Sequence, residues 1–387
     1  MQVIFYQGKV MHKVLSCSLL SFLSFAATAQ QQDLAYHLTS VIDAKAVKRV
    51  NPDYPVSQAR IGKDGWVIAS FVVEPDGKTS NIVIEDSSGV KGFEVETRRA
   101  IKRWQYEPAT EDGKPVQQCM TKVRMDFKMS RKDGITRKFR GLYKGLNKAL
   151  EQKDDEAIEK YYRRLKNYKI YAGMEEQVRH SAFSDYYLYK GDKYNALAEL
   201  EKSENFIGSS GLFKRLHQEK ELGKFQEDNR KSFQKSNDEL ARKQLYPLLH
   251  KELVLALELN LISKAMRISD RLTLVAPEDK QAIYQKQYDV LKDVVDSDKS
   301  LHTQGKVSER GFWSYALLRN QFSFTNINGQ LDKMDIRCRN KRHVYSINDK
   351  SSWKLPDSWQ GCSILVYGEK DASLTLVEQS DSASPAT

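Results

Sequence analysis

The sequence predicts a multidomain α+β chain: a small β-β-α-β unit, then an α-helical array, then a small β domain closed by a disulfide. Three observations carry this. Apolar residues alternate with period two in 46–131 and again in 305–378, while 135–300 is long, charged and helix-rich with few Gly or Pro. The apolar content of 40% suits a globular protein, and 387 residues are enough for two or three domains. Cys338 and Cys362 both fall in the last β-patterned stretch.

Residues 1–29 read as an export signal. His12-Lys13 is a short positive start, Val14 to Phe25 is apolar, and Ala27-Thr28-Ala29 is an A-x-A cleavage site before Gln30. The apolar core runs about a dozen residues, whereas a spanning helix needs roughly 20. Cleavage and a periplasmic product are the expectation. Retention of the segment as an inner-membrane anchor is the alternative. Residues 30–45 form an N-terminal arm.

Residues 46–131 hold the clearest pattern. Trp66 to Val73 is apolar on nearly both sides, a well-covered strand. Pro75-Asp76-Gly77 is a turn, because Pro presets φ and Gly accepts φ > 0. Ile82, Val83 and Ile84 return as the second strand of a hairpin. Phe93, Thr97, Ala100, Ile101 and Trp104 make the inward stripe of a helix whose outer side carries Arg98, Arg99, Lys102 and Arg103. Asp112-Gly113-Lys114-Pro115 is a second turn. Cys119, Thr121, Val123, Met125 and Phe127 then share one face of a third strand. Gln118, Met120, Lys122, Arg124 and Asp126 share the other. A short helix near Val56–Ile61 completes the unit.

These segments, with Tyr54-Pro55, Gly65-Trp66, Gly77 and Trp104-Gln105-Tyr106-Glu107-Pro108, resemble the C-terminal domain of the TonB energy-transducer family. The resemblance rests on Tyr54, Pro55, Gly65, Gly77, Trp104, Tyr106 and Pro108, and covers Asn51 to Met129. It implies that the edge of the third strand receives an extended segment of an outer-membrane TonB-dependent receptor. The matching positions are Gln117, Cys119, Thr121, Lys122, Val123, Arg124, Met125, Asp126 and Phe127. An N-terminal arm (residues 33–50) or the helical array covering this edge is the competing expectation. A transducer of this family keeps its N-terminal helix in the inner membrane, works with an ExbB–ExbD type motor, and carries the binding domain last on a Pro-rich linker. Here the chain has 9 Pro, and residues 130–387 follow the domain.

In 135–300, Ala157, Ala196 and Ala265 sit in similar segments. Ala157 to Ala196 is a little over one repeat of about 34 residues, and Ala196 to Ala265 about two. The stretch is similar to tetratricopeptide repeats, with a plain helical bundle as the alternative. Lys214–Arg242 is its most polar portion, a solvated helix. Residues 305–378 contain Trp313, Trp353 and Trp359 and the turn Asn328-Gly329, and 379–387 are a disordered tail.

Of 4 cysteines, three remain after processing. Cys338 and Cys362 share one β domain of an exported protein, so a disulfide joins them. It closes a loop of about 25 residues and contributes on the order of 3 kcal/mol. Cys119 is then a buried small apolar residue. Chemistry is otherwise sparse. The sequence holds no zinc-spaced His/Cys cluster, no Gly-rich phosphate loop and no G-x-S-x-G, so neither an enzyme nor a cofactor is expected. A formal charge of +11 on a chain this long does not point to nucleic acid. The leading reading is a periplasmic protein–protein interaction module that binds an extended partner peptide by strand addition in TonB-dependent transport. The alternatives are an inner-membrane-anchored TonB-type transducer and a peptidoglycan-associated structural protein.

Overall fold

The structure, a computed structural model, describes residues 41–129, 134–170, 173–207, 212–213, 216, 232–347, 351–359 and 361–380. The expected export signal (1–29), most of the expected N-terminal arm, most of 214–231 and nearly all of the expected tail lie outside the described residues.

The first region runs β1 (Val41–Ile42), β2 (Lys45–Lys48), α1 (Val56–Ile61), β3 (Gly65–Val73), β4 (Thr79–Ser87), α2 (Lys91–Ile101), β5 (Gln105–Glu107), β6 (Ala109–Glu111), β7 (Lys114–Val116) and β8 (Gln118–Phe127). β3, β4 and β8 form an antiparallel sheet in the order β4-β3-β8. The β-β-α-β core is therefore joined by five short strands that periodicity did not show. β1, β6 and β7 make one small sheet, and β2 pairs with β5. The N-terminal residues 41–48 thus pair with β5 and β6 and not along β8. One face of the main sheet lies on α2, where Val67, Ala69, Phe71 and Val73 meet Phe93, Ile101 and Trp104. Phe71 is fully buried, and removing a ring from such a site costs about 3–5 kcal/mol.

Among the described residues these helices follow: α3 (Arg137–Gln152), α4 (Asp155–Lys166), α5 (Gly173–Tyr189), α6 (Lys193–Ile207), α7 (Ser232–Glu258), α8 (Ile262–Val275) and α9 (Glu278–Asp296). Thr136 and Asp154 cap α3 and α4, their side chains accepting from the N–H groups of Phe139 and Ala157, which satisfies donors otherwise orphaned at a helix start. Links of two or three residues turn α4, α6, α8 and α9 back on α3, α5, α7 and α8. Ala157, Ala196 and Ala265 lie on α4, α6 and α8, the second helix of each such pair; Ala196 and Ala265 are fully buried. Pro247 sits inside α7.

The last region is two four-stranded antiparallel sheets. Its strands are β9 (Leu301–Lys306), β10 (Phe312–Ala316), β11 (Gln321–Asn328), β12 (Leu331–Arg337), β13 (Arg342–Ser346), β14 (Ser352–Lys354), β15 (Ser363–Gly368) and β16 (Ser373–Gln379). The orders are β10-β15-β12-β13 and β14-β11-β16-β9. Phe322, Phe324, Met334, Ile336, Ile364, Val366, Leu374 and Leu376 fill the space between them. Cys338 and Cys362 are joined by a disulfide. Trp353 packs on Phe322, rings 5.4 Å apart, and Trp359 stacks on His343 at 4.8 Å.

Charged side chains tie the three regions together. Arg319 donates to the carbonyls of Val295 (3.0 Å) and Ser297 (2.6 Å) at the end of α9, where a cation meets the negative end of the helix. Arg310 reaches Glu94 at 3.1 Å and Ser87 Oγ at 2.9 Å. Lys63 donates to Ile170 O and to Glu176, both at 2.7 Å.

Candidate functional site

The motif residues are built into the scaffold of the first region. Tyr54 donates its hydroxyl to Lys63 O at 2.5 Å and sets its ring edge-on to Phe93 and Phe127. Pro55 precedes α1, and its carbonyl accepts from Gln58 N–H at 2.9 Å. A side chain on Gly65 would place Cβ 2.3 Å from Ser88 Oγ and 2.7 Å from the Phe93 ring. Gly77 has φ of +80° and lies against Tyr106 O, so the turn and the close approach both require glycine. Trp104 Nε1 donates to Val50 O at 2.7 Å, and Arg49 sits over the Trp104 and Tyr106 rings. Tyr106 N–H donates to Gly77 O at 2.9 Å. Pro108 separates β5 from β6. None of these side chains offers chemistry to a ligand; together they hold the hairpin, α2 and β8 in place.

β8 carries the remaining predicted residues. Its inner face holds Met125 opposite Val67, Val123 opposite Ala69 and Thr121 opposite Phe71. Phe127 stacks on Phe93, rings 4.2 Å apart. Gln117, just before the strand, donates to Glu74 at 2.8 Å. Cys119 is buried and free of any disulfide. Burial, reinforced by the Glu74 charge, pushes its thiol up to about 12, so it is no nucleophile at neutral pH. The outer face holds Lys122, Arg124 and Asp126 opposite Ser70, Ile68 and Trp66. Lys122 pairs with Glu85. Arg124 pairs with Asp126 at 2.7 Å, lies over the Trp66 ring at 5.2 Å, and donates to Asn205 O and Oδ1 at the end of α6. The helical region therefore covers part of the sheet's outer face beside β8. The contribution of Asn205 and Phe206, which meets Trp66 edge-on, had no sequence signal, since they lie some eighty positions beyond the strand.

The direction of the main-chain groups decides what the margin of β8 can do. Trp66 O accepts from Ser88 N–H at 3.0 Å, and Trp66 N–H donates to Ser88 Oγ at 3.2 Å. Trp66 therefore presents its peptide groups to β4. Antiparallel pairs alternate, so Val67 and its opposite number Met125 face each other across the β3–β8 seam. The N–H and C=O groups of Lys122, Arg124 and Asp126 then point away from the sheet. A register shift between Thr121 and Gln118 reverses the alternation. Accordingly Cys119 N–H points outward, donating to Arg339 O at 3.0 Å. Among the described residues no partner takes the outward groups of Lys122, Arg124 and Asp126. The opposite margin differs: at the bulge of β4, Asn81 O accepts from Arg337 at 3.2 Å and Ile82 O from Arg98 at 2.8 Å.

Among the described residues no group of His, Cys, Asp and Glu could hold a metal, and no helix is long and apolar enough to cross a membrane.

Comparison with known proteins finds a likeness over the first region. Residues 50–129 match the family described as Gram-negative bacterial TonB protein C-terminal. The chain is 37% identical to the protein TonB of Escherichia coli over 79 residues, 20% of this chain and 31% of that protein. It is 34% identical to the protein TonB of Pseudomonas aeruginosa over 82 residues, 21% of this chain and 24% of that one. The chain thus spans about a third or less of these curated relatives. A solution NMR structure of the Pseudomonas aeruginosa TonB C-terminal domain is 26% identical, covering 23% of this chain and 90% of that one with a TM-score of 0.21.

Proposed function

Taking residues 50–129 as a domain of the TonB C-terminal family, we propose that the chain is an interaction module of TonB-dependent envelope transport. It takes up an extended segment of an outer-membrane receptor, or of another envelope protein, as an added strand on β8. The observation that supports this reading is the margin itself. Lys122, Arg124 and Asp126 turn their peptide groups outward, whereas the β4 margin is capped at its bulge by Arg98 and Arg337. An exposed strand edge is a template for a further strand: main-chain bonds supply affinity and alternate side chains supply selectivity. The alternating charges of Lys122, Arg124 and Asp126 also discourage pairing between two copies of the edge.

The export signal places the module in the periplasm under this proposal, and the paired helices α3 to α9 act as a repeat-like scaffold for a second partner. An isolated protein that begins at Gln30 supports the periplasmic form; one that retains residues before Ala29 supports the anchored transducer working with an ExbB–ExbD type motor. The binding mode is tested by calorimetric titration of the full chain with TonB-box-like peptides. Lys122→Ala leaves every main-chain group in place and should only weaken binding. Loss of all binding in that variant would show that side chains, not the strand edge, carry recognition.

A further inference from the structure

The hairpin β12–β13 touches the same strand at its Cys119 end. Its turn, Cys338 to Lys341, is closed by Cys338 N–H donating to Lys341 O at 2.9 Å. Two devices stiffen it. The Cys338–Cys362 disulfide ties the turn to β15. Asp335 bridges the two strands, accepting from Arg337 at 2.9 Å and from Arg342 at 3.0 Å. This rigid turn is fastened to the first region at several points. Arg339 O accepts the outward Cys119 N–H at 3.0 Å. The Arg339 guanidinium meets Asp43 at 3.0 Å, and Asn340 Nδ2 donates to Glu111 at 3.1 Å. Arg337 crosses the sheet face to Ser70 Oγ at 3.4 Å and Asn81 O at 3.2 Å. Next to it, Gln118 Oε1 accepts Ala44 N–H at 2.6 Å. The Cys119 end of the β8 margin is therefore occupied by this chain's own backbone, while the Lys122–Asp126 stretch is not.

We propose that the Cys338–Lys341 turn is a built-in stop that limits the strand-binding site to Lys122–Asp126 and so selects short partner segments. The proposal rests on the reading of β8 as the peptide site and adds the size of the segment it takes. Five residues of strand span about 17 Å, so the fitting partner is an extended segment of about five residues whose pairing ends at the turn. A longer extended segment would have to displace Arg339 O from Cys119 N–H, and the disulfide and the Asp335 bridge oppose that movement. Its extra residues gain nothing from the wild-type margin.

The test uses the full chain and the variant Arg339→Ala/Asn340→Ala. That variant removes the ion pair to Asp43 and the bond to Glu111 and keeps the disulfide. Amide hydrogen exchange at Cys119 reads the stop without any peptide. Wild type should protect this amide, and the variant should exchange it roughly tenfold faster or more. Calorimetry then compares TonB-box-like peptides of about five and about nine residues. Wild type should bind the two equally. The variant should bind the longer one about tenfold tighter, the effect of one or two added main-chain bonds. An unprotected Cys119 amide in wild type overturns the stop alone. A longer peptide that binds wild type tenfold tighter than the short one overturns the length limit. Failure of every peptide to bind, with Cys119 protected, sinks the peptide reading of β8 and the segment length with it.

Discussion

Removing the disulfide gives the most quantitative prediction about stability. Cys338 and Cys362 are separated by 24 residues, and both lie in the core between the two sheets. In the chain-entropy account, a loop of this length restricts the unfolded state by about 3.5 kcal/mol at 25 °C. Replacing both by Ser also sets two hydroxyls among Phe322, Ile336 and Ile364, so the loss is not smaller than that value. A unit the size of the β9–β16 region shifts its melting temperature by roughly 4–8 °C per kcal/mol. Cys338→Ser/Cys362→Ser should therefore melt that region about 14–28 °C lower. Three of the 5 tryptophans, Trp313, Trp353 and Trp359, report from within it. The assay is thermal unfolding followed by tryptophan fluorescence, for wild type with and without reductant and for the double variant. A shift of less than about 5 °C in both comparisons would refute the claim that the bond staples this region. Free thiols at both positions in the unreduced protein would refute the bond itself.

Gly65→Ala should cost about 3 kcal/mol, because its Cβ would stand 2.3 Å from Ser88 Oγ and 2.7 Å from the Phe93 ring; a urea midpoint equal to wild type contradicts the packing described. Glu252 is 1% exposed on α7, with Oε1 unpartnered among the described residues. Burial first, then the Glu204 and Glu201 charges, hold its pKa well above the ordinary carboxylate value. A raised folded-state pKa adds stability that is complete below the unfolded value near 4.5 and is lost as pH rises through the folded one. Glu252→Gln should thus gain stability over wild type at pH 8 and show a flatter pH profile. A wild-type profile no steeper than the variant's, by urea unfolding across that range, contradicts the assignment. Truncating Arg124 to Ala removes the bonds to Asn205, the Trp66 contact and the Asp126 pair, and should lower stability by about 2–4 kcal/mol; a change within 0.5 kcal/mol would show that the helical region is not fastened to β8 through this side chain.

The parts of the fold legible in the sequence are those specified locally. Pro75-Asp76-Gly77 carries its own turn chemistry, the Phe93–Trp104 stripe has helical spacing, and Thr121 to Phe127 alternates cleanly because one face lies on α2. The strands β1, β2 and β5 to β7 are two to four residues long, too short for a period to show. The candidate site was legible as a strand, and as an edge only through the family resemblance. Which of its peptide groups point outward depends on the register shift near Cys119 and on Trp66 facing β4, and neither leaves a mark in residue order. What closes the two ends of the sheet comes from far along the chain: Arg337 to Asn81, Arg339 to Cys119 and Asn205 to Arg124 are pairs that no local pattern connects.

The central claim is that β8 binds through the outward peptide groups of its margin, and Arg124 isolates it. Its N–H points away from β3, so Arg124→Pro removes a margin donor without taking a bond from the sheet, a position where an edge strand tolerates proline. Arg124→Ala loses the same side chain and keeps the donor. Calorimetric titration of both with a TonB-box-like peptide, with circular dichroism showing both folded, compares the two directly. The account predicts that Arg124→Ala binds within a fewfold of wild type while Arg124→Pro binds at least tenfold more weakly. A folded Arg124→Pro chain that binds as tightly as Arg124→Ala would contradict it.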